Sequence, residues 1–166
     1  QSQVKLCVPR LVENLYAAYD EDGSHFLDNV DVNGITLKED FKQHNFCYLL
    51  GLLNSNLLRW FFPKISVPFR GGWLSANRQF IEPLPIPTIN FKNPKDESFH
   101  DKMVSLVDRM LELNKKLKKT KTPHEKELLE RQLKITDNQI DTLVYELYGL
   151  TEAEIKVVEG GNRSIL

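Results

Sequence analysis

The chain has 166 residues, of which 41% are hydrophobic and 27% charged, and its formal net charge at pH 7 is -1. This composition is typical of a folded domain with its own core and excludes long disordered segments. The two cysteines and four histidines are scattered along the chain. They lack the paired spacing of a disulfide framework or a zinc site, so we predict no metal ligand and a reducing compartment.

The charge is distributed unevenly. Residues 1–41 contain three Lys or Arg and eight Asp or Glu, whereas residues 42–81 contain five basic residues and no acidic one. An acid-free segment in a nearly neutral chain favours a localised surface for an anion, most simply a phosphate backbone. The longest apolar run, residues 46–62, is shorter than the roughly 20 residues of a membrane span. We therefore expect a cytoplasmic protein that makes no membrane contact.

The first forty residues are predicted to form strands and turns. Apolar residues at 4–12 and 15–19 indicate two strands, and Pro9 is better tolerated at a sheet edge. The acidic, glycine-containing stretch 20–24 predicts a hairpin that turns at Gly23. Further turns are predicted at Asp28-Asn29 and Asn33-Gly34, with a short strand between them and residues 35–37 as a candidate for the next strand.

Helical spacing begins near residue 45. Apolar residues three and four apart predict one helix from Asn45 to Phe62, which Pro63 should end. Residues 63–96 hold six of the eight prolines. That density fixes the backbone direction and predicts an ordered connector with short strands at most. Within it, Gly71-Gly72 allows a sharp bend or a close approach to a ligand.

After Pro94 the pattern predicts two long helices. The first carries a heptad seam, and Thr122-Pro123 ends it. The second begins near His124 and ends at Gly149, a typical C-cap residue. Because the connection is short, the two helices should pack as an antiparallel hairpin. The seam residues are Met103, Leu106, Met110, Leu113 and Leu117.

The predicted fold class is α+β. We expect a mixed β/α recognition lobe over residues 1–95 and a helical hairpin over 96–159, which serves as a spacer or docking region. Residues 151–154 have the spacing of a capping box and begin a last short helix inside that region. A flexible tail is predicted over residues 160–166.

The acid-free segment supplies the candidate site. Lys64, Arg70 and Arg78 can neutralise phosphates, and arginine can also bind a guanine edge. Amide side chains can pair with adenine, and a tryptophan can wedge or stack against a base. The alternative is a tryptophan buried in the core and cations that are ordinary surface charge. The candidate DNA-binding residues are Lys64, Arg70, Gly71, Gly72, Trp73, Ser75, Asn77, Arg78 and Gln79.

No catalytic motif occurs in the sequence. It lacks a glycine-rich nucleotide fingerprint, a P-loop and a Gly-x-Ser-x-Gly elbow. Asp137 and Asp141 lie one helical turn apart, where a solvated face is the expected interpretation. We therefore predict no catalytic residue and no cofactor for this chain. The lysines at 115–121 are interpreted first as solvation of a helix end, and a phosphate-contacting role is secondary.

Three stretches, in order, resemble a known family. YLLGLLNSNL at residues 48–57 is similar to a helix of target recognition domains in bacterial restriction–modification enzymes. GGWL at 71–74 followed by LPIP at 84–87 resembles the family's glycine loop and exit. DTLVYELYGLT at 141–151 is similar to its closing helix. The pattern resembles TaqI-like C-terminal specificity domains of Type IIG enzymes and, more distantly, Type I specificity subunits.

This resemblance implies a domain that binds double-stranded DNA. Adenine methylation and cleavage would belong to other domains of the parent, which would be its partners and would use S-adenosylmethionine and Mg. Two alternative functions are also compatible with the sequence. One is a protein-interaction module that docks through the heptad seam without binding DNA. The other is an enzyme fragment that contributes a catalytic residue in trans, which a turnover assay would test.

Overall fold

The computed structural model describes residues 3–25, 27 and 31–162. Its lobe contains a three-stranded antiparallel sheet with the order β3-β1-β4, formed by Lys5–Pro9 (β1), Ala18–Asp20 (β3) and Val32–Ile35 (β4). A second antiparallel pair joins Leu11–Val12 (β2) to Leu74–Ser75 (β5). The predicted α+β class is confirmed by these sheets and the helices that follow them.

Two predictions for the lobe are wrong. Asn33-Gly34 is not a turn, because both residues lie inside β4 and pair with β1. The stretch around Gly23 does turn, but the strands on its two sides, β3 and β4, do not pair with each other. Each of them pairs with β1 instead. The expected hairpin across Gly23 is therefore not observed in the described part. The turn predicted at Asp28-Asn29 lies outside the described residues.

The turn after β3 is stabilised by Asp20. Its buried carboxylate accepts hydrogen bonds from the Lys5 ammonium and from the backbone N–H groups of Ser24 (3.1 Å) and His25 (3.2 Å). The bond from Lys5 first, and then the hydrogen bond from the His25 ring (3.0 Å), hold the pKa of Asp20 well below its usual range. Asp20, Asp22 and His25 place oxygen and nitrogen atoms within 4.8 Å of one another. Because Asp20 is already engaged, we interpret this group as a turn-stabilising cluster.

The helices in the described part are Phe46–Leu53 (α1), Asn56–Ile65 (α2), Arg78–Ile81 (α3), Pro94–Lys119 (α4), Pro123–Tyr148 (α5) and Glu152–Asn162 (α6). The predicted long helices and the C-cap at Gly149 are confirmed by α4 and α5, which the residues 120–122 connect. Because α6 continues through Asn162, residues 160–162 are helical rather than part of the predicted tail. Residues 163–166 lie outside the described part.

The single helix predicted over 45–62 is two helices. Asn54 and Ser55 separate α1 from α2, and the Ser55 hydroxyl accepts a hydrogen bond from the N–H of Leu58 (3.3 Å) as an N-cap. Pro63 does not end the second helix, which continues to Ile65. We call residues 54–56, together with the carboxylate of Asp141, the helix junction.

Buried polar contacts fix the helix junction. The Asn54 amide exchanges two hydrogen bonds with the backbone of Ala17, at 2.8 and 3.0 Å. The Asp141 carboxylate accepts from the backbone N–H (2.8 Å) and the side chain (2.6 Å) of Asn56. Asp141 is buried, which raises its pKa to about 6, so the prediction that it lies on a solvated face is wrong.

The helical hairpin is packed directly onto the lobe. A Cβ built on Gly51 of α1 would lie 2.4 Å from the Met103 sulfur and 2.9 Å from a Val107 methyl group, so α1 and α4 are in close contact. Met103 and Leu113 are buried, and the heptad seam is therefore not a free docking surface. Buried residues of the lobe and of both long helices form one hydrophobic cluster. The division at residue 95 stays a prediction.

The Leu-Pro-Ile-Pro segment is bound by tyrosines from both flanking motifs. The Tyr48 hydroxyl donates to the Pro87 carbonyl (3.0 Å), and the Tyr148 hydroxyl donates to the Pro85 carbonyl (2.7 Å). These bonds connect all three stretches that carry the family resemblance.

Among the helices of the described part, none is long and apolar enough to cross a membrane.

Candidate nucleic-acid interface

Residues 66–75 form a hairpin between α2 and α3, which we call the 66–75 hairpin. Phe69 N–H donates to the Trp73 carbonyl (2.6 Å), and Ser75 N–H donates to the Val67 carbonyl (3.1 Å). The Ser66 hydroxyl donates to the Ser75 carbonyl (2.7 Å) and closes the base of the hairpin. Within the segment 63–96, predicted as a connector with short strands at most, residues 66–75 thus form a two-stranded ribbon. The prediction is wrong in that this segment also contains the short helix Arg78–Ile81.

The tip of the hairpin is a tight turn over Arg70–Gly72. Gly71 has φ 73° and Gly72 has φ 84°, in the left-handed region where any residue with a Cβ is strained. A Cβ on Gly72 would meet no atom of the described part of the chain within 4 Å. Glycine is therefore required there by the backbone conformation and not by crowding, and the open space lets another molecule approach the peptide groups.

The base of the hairpin is anchored to the lobe through backbone groups. β5 pairs with β2, and the N–H of Ala76 donates to the Arg10 carbonyl (2.7 Å). The Asn33 amide donates to the carbonyls of Ala76 (2.9 Å) and Val8 (3.2 Å), which joins the two sheets. Sequence reasoning assigned Asn33 to a turn and missed this role, because a side chain that bonds distant backbone leaves no local pattern.

One face of the hairpin exposes large apolar side chains. Phe69 and Trp73 lie opposite each other across the two strands and are 56% and 41% exposed, and Val67 is 50% exposed. Trp73 is therefore not a core anchor, which was the alternative interpretation. Phe69 and Val67 were not among the predicted site residues. Their alternating spacing within a strand that ends at the glycine turn could have indicated a shared face with Trp73.

The three predicted phosphate-binding cations differ in their surroundings. Arg70 is exposed at the hairpin tip and makes no ion pair within the described residues. Arg78 pairs with Glu82 one turn along α3, at 3.2 Å. The Lys64 ammonium lies 3.5 Å from the centre of the Trp60 ring and donates to the Trp60 carbonyl, and partial burial lowers its pKa.

The remaining predicted residues lie at the base of the hairpin and on α3. Ser75 is only 8% exposed, and its backbone serves the strand pairing. Asn77 is half-buried, and its carbonyl accepts from Phe80 N–H (2.9 Å) at the start of α3, where Gln79 is exposed. Arg70 follows Val67 by three residues, which corresponds to roughly 10 Å of extended chain at about 3.3 Å per residue. Arg70 therefore lies at the tip, away from the polar groups at the base.

Comparison with known proteins identifies the class. Residues 1–86, just over half of the chain, match the family described as the TaqI-like C-terminal specificity domain. The chain belongs to this family. It is also 29% identical, over 119 residues, to the "Type II restriction enzyme and methyltransferase RM.Eco57I" of Escherichia coli. That alignment covers 70% of this chain and 12% of the relative, so the chain spans only a small part of that relative's length.

Proposed function

We propose that this chain is the DNA target recognition domain of a restriction–modification enzyme and that the 66–75 hairpin contacts the bases. Membership of a specificity-domain family supports the role. The observation that supports the location is the exposed, anchored ribbon with Arg70, Phe69 and Trp73 around a glycine turn. Exposed large apolar groups on a rigid element are typical of binding surfaces.

The proposed mode of binding follows from the geometry of the hairpin. A two-stranded ribbon fits the major groove, which is about 12 Å wide. Arg70 at the tip would bind a phosphate or donate two hydrogen bonds to a guanine edge, and the ring of Phe69 or Trp73 would pack on a base. The open glycine turn allows the backbone to approach the DNA closely. Lys64, Asn77, Arg78 and Gln79 at the base would fix the orientation through phosphates.

The chemistry would reside elsewhere in the parent protein. In this proposal adenine methylation and DNA cleavage belong to methyltransferase and nuclease domains outside this chain, in the cytoplasm. S-adenosylmethionine and Mg would be bound by those domains. Methylation and cleavage must occur at the same DNA sequence, so both activities need one element that recognises it. This chain would supply that sequence discrimination.

A binding assay tests this proposal. The variant Arg70→Ala/Arg78→Ala should weaken binding of duplex DNA, and the slope of log K against log salt should fall in magnitude by about 1–2, since each lost phosphate contact contributes about 0.9. The larger part should come from Arg70, because Arg78 already has a carboxylate partner. Arg109→Ala/Lys156→Ala is the matched control, with the same loss of charge at exposed positions of α4 and α6. Equal affinity of the two double variants would remove the hairpin from consideration.

A further inference from the structure

We propose that the turn between α4 and α5 is a second contact for the DNA backbone, separate from the 66–75 hairpin. The surface consists of Lys116, Lys118, Lys119 and Lys121, which we call the lysine turn. The inference rests on the proposed function, since it adds a second surface to the same DNA complex. Its test is designed to fail independently of the first.

The lysine turn is an uncompensated positive patch. No Asp or Glu occurs between Glu112 and Glu125. All four lysines are exposed, and none forms an ion pair with a residue in the described ranges. Their neighbour Lys115 differs, because it pairs with Glu21 at 3.0 Å and its pKa is raised by that contact. The lysines beyond this ion pair are therefore available to another anion.

Solvation of a helix end accounts for only part of this pattern. Cations in the last turn of α4 interact favourably with the C-terminal dipole of the helix. Lys121, however, lies beyond the end of α4, close to the start of α5, where a helix favours acidic side chains. Lys116 and Lys119 are three residues apart on one helix, a spacing at which like charges repel. An external polyanion relieves this repulsion.

The lysine turn and the 66–75 hairpin lie toward opposite ends of β1. At one end of β1, Lys5 lies opposite Asp20 of β3. The next residue, Glu21, forms the ion pair with Lys115, so the C-terminal part of α4 lies near this end of β1. The other end of β1 leads into β2, which carries the hairpin through β5. The four steps of β1 alone span roughly 13 Å. The two surfaces therefore meet a duplex at separate places, and one can act without the other.

The expected role is sequence-independent. Lysine ammonium groups neutralise phosphates and release counterions, which raises affinity for every sequence and steepens the salt dependence. They do not read base edges. The lysine turn would thus hold the duplex while the hairpin discriminates among sequences.

The experiment compares three forms of the 166-residue chain on a mixed-sequence DNA duplex. The first carries Lys116→Gln, Lys118→Gln, Lys119→Gln and Lys121→Gln. The control carries Lys92→Gln, Lys102→Gln, Lys134→Gln and Lys156→Gln, which remove the same charge from exposed, scattered lysines that form no ion pair within the described part of the chain. The third is the unmodified chain. Circular dichroism and thermal unfolding establish that all three are folded.

We expect the lysine-turn variant to bind at least about tenfold more weakly at low salt than the control, with a salt slope smaller in magnitude by roughly 2–4. When the four lysine substitutions are combined with Arg70→Ala in one chain, the fold losses of DNA affinity should multiply, because the two surfaces are separate. Equal salt slopes for the variant and the control would overturn this inference. If Arg70→Ala also left the DNA affinity unchanged, both this inference and the proposed function would be wrong. If Arg70→Ala weakened DNA binding and the lysine substitutions did not, only this inference would be wrong.

Discussion

The helix junction and the 66–75 hairpin represent two ways in which this chain uses polar and small residues. At the junction, Asn54 bonds to the backbone of Ala17 beside β3, and Asp141 accepts from Asn56 and so joins α5 to α2. In the hairpin, the backbone provides the bonding and the side chains of Phe69, Arg70 and Trp73 remain exposed. Two of the stretches that carry the family resemblance, residues 48–57 and 141–151, are thus largely architectural, whereas residues 71–74 lie in the hairpin whose exposed side chains form the proposed reading surface.

The largest expected effect is at the contact between α1 and α4. Gly51→Leu should destabilise the chain by about 3 kcal/mol, because the new side chain would overlap Met103 and Val107 in the core. Thermal unfolding measures it. Gly160→Leu is the control, since Gly160 is exposed in α6 and a Cβ placed there would meet no atom of the described residues within 4 Å. Similar stability of both variants would show that α1 and α4 are not in close contact.

The helix junction gives the next largest effect. Asp141→Ala should cost about 2 kcal/mol, because two donors of Asn56 lose their buried acceptor. Asp137→Ala, one turn away and exposed, should be nearly neutral. Chemical denaturation distinguishes them. DNA affinity of the folded Asp141 variant should be unchanged, and a selective loss of affinity would contradict the division between architecture and reading surface.

Within the hairpin, the glycine turn should have a smaller effect on stability. Gly72→Ala should cost about 1 kcal/mol, since alanine is strained at φ 84° although no neighbouring atom is in the way. Phe69→Ala should leave the unfolding free energy within about 0.5 kcal/mol of the original, because its side chain is exposed. A large loss of stability with Phe69→Ala would mean that its ring packs in the core.

The smallest expected effect is a pH dependence at His44. Its ring nitrogens are buried without a hydrogen-bond partner in the described part, and burial lowers its pKa. The unfolded chain therefore binds this proton more readily, so stability should fall as the pH drops below about 6.5. His44→Phe keeps the contact with the Phe91 ring and should reduce the slope of melting temperature against pH. An unchanged slope would assign the effect to other groups.

Sequence periodicity predicted the long helices well, because each of α4 and α5 buries one regular stripe, and their C-caps are Thr120 and Gly149. It did not predict the break at Asn54, since the apolar spacing continues across it. The structure shows that the Ser55 cap and the bonds of Asn54 to Ala17 stabilise this break. The charge pattern found the region of the hairpin. It could not find Phe69 or separate Arg70 from Lys64, because exposure and intramolecular partners depend on the folded neighbours.

Selection from a randomised pool of DNA duplexes tests the central claim most directly. The unmodified chain and the lysine-turn variant should enrich the same short sequence, whereas Phe69→Ala/Arg70→Ala/Trp73→Ala should bind weakly and enrich none. If that triple variant, folded and stable, enriched the same sequence as the unmodified chain, the hairpin would not be the element that reads DNA.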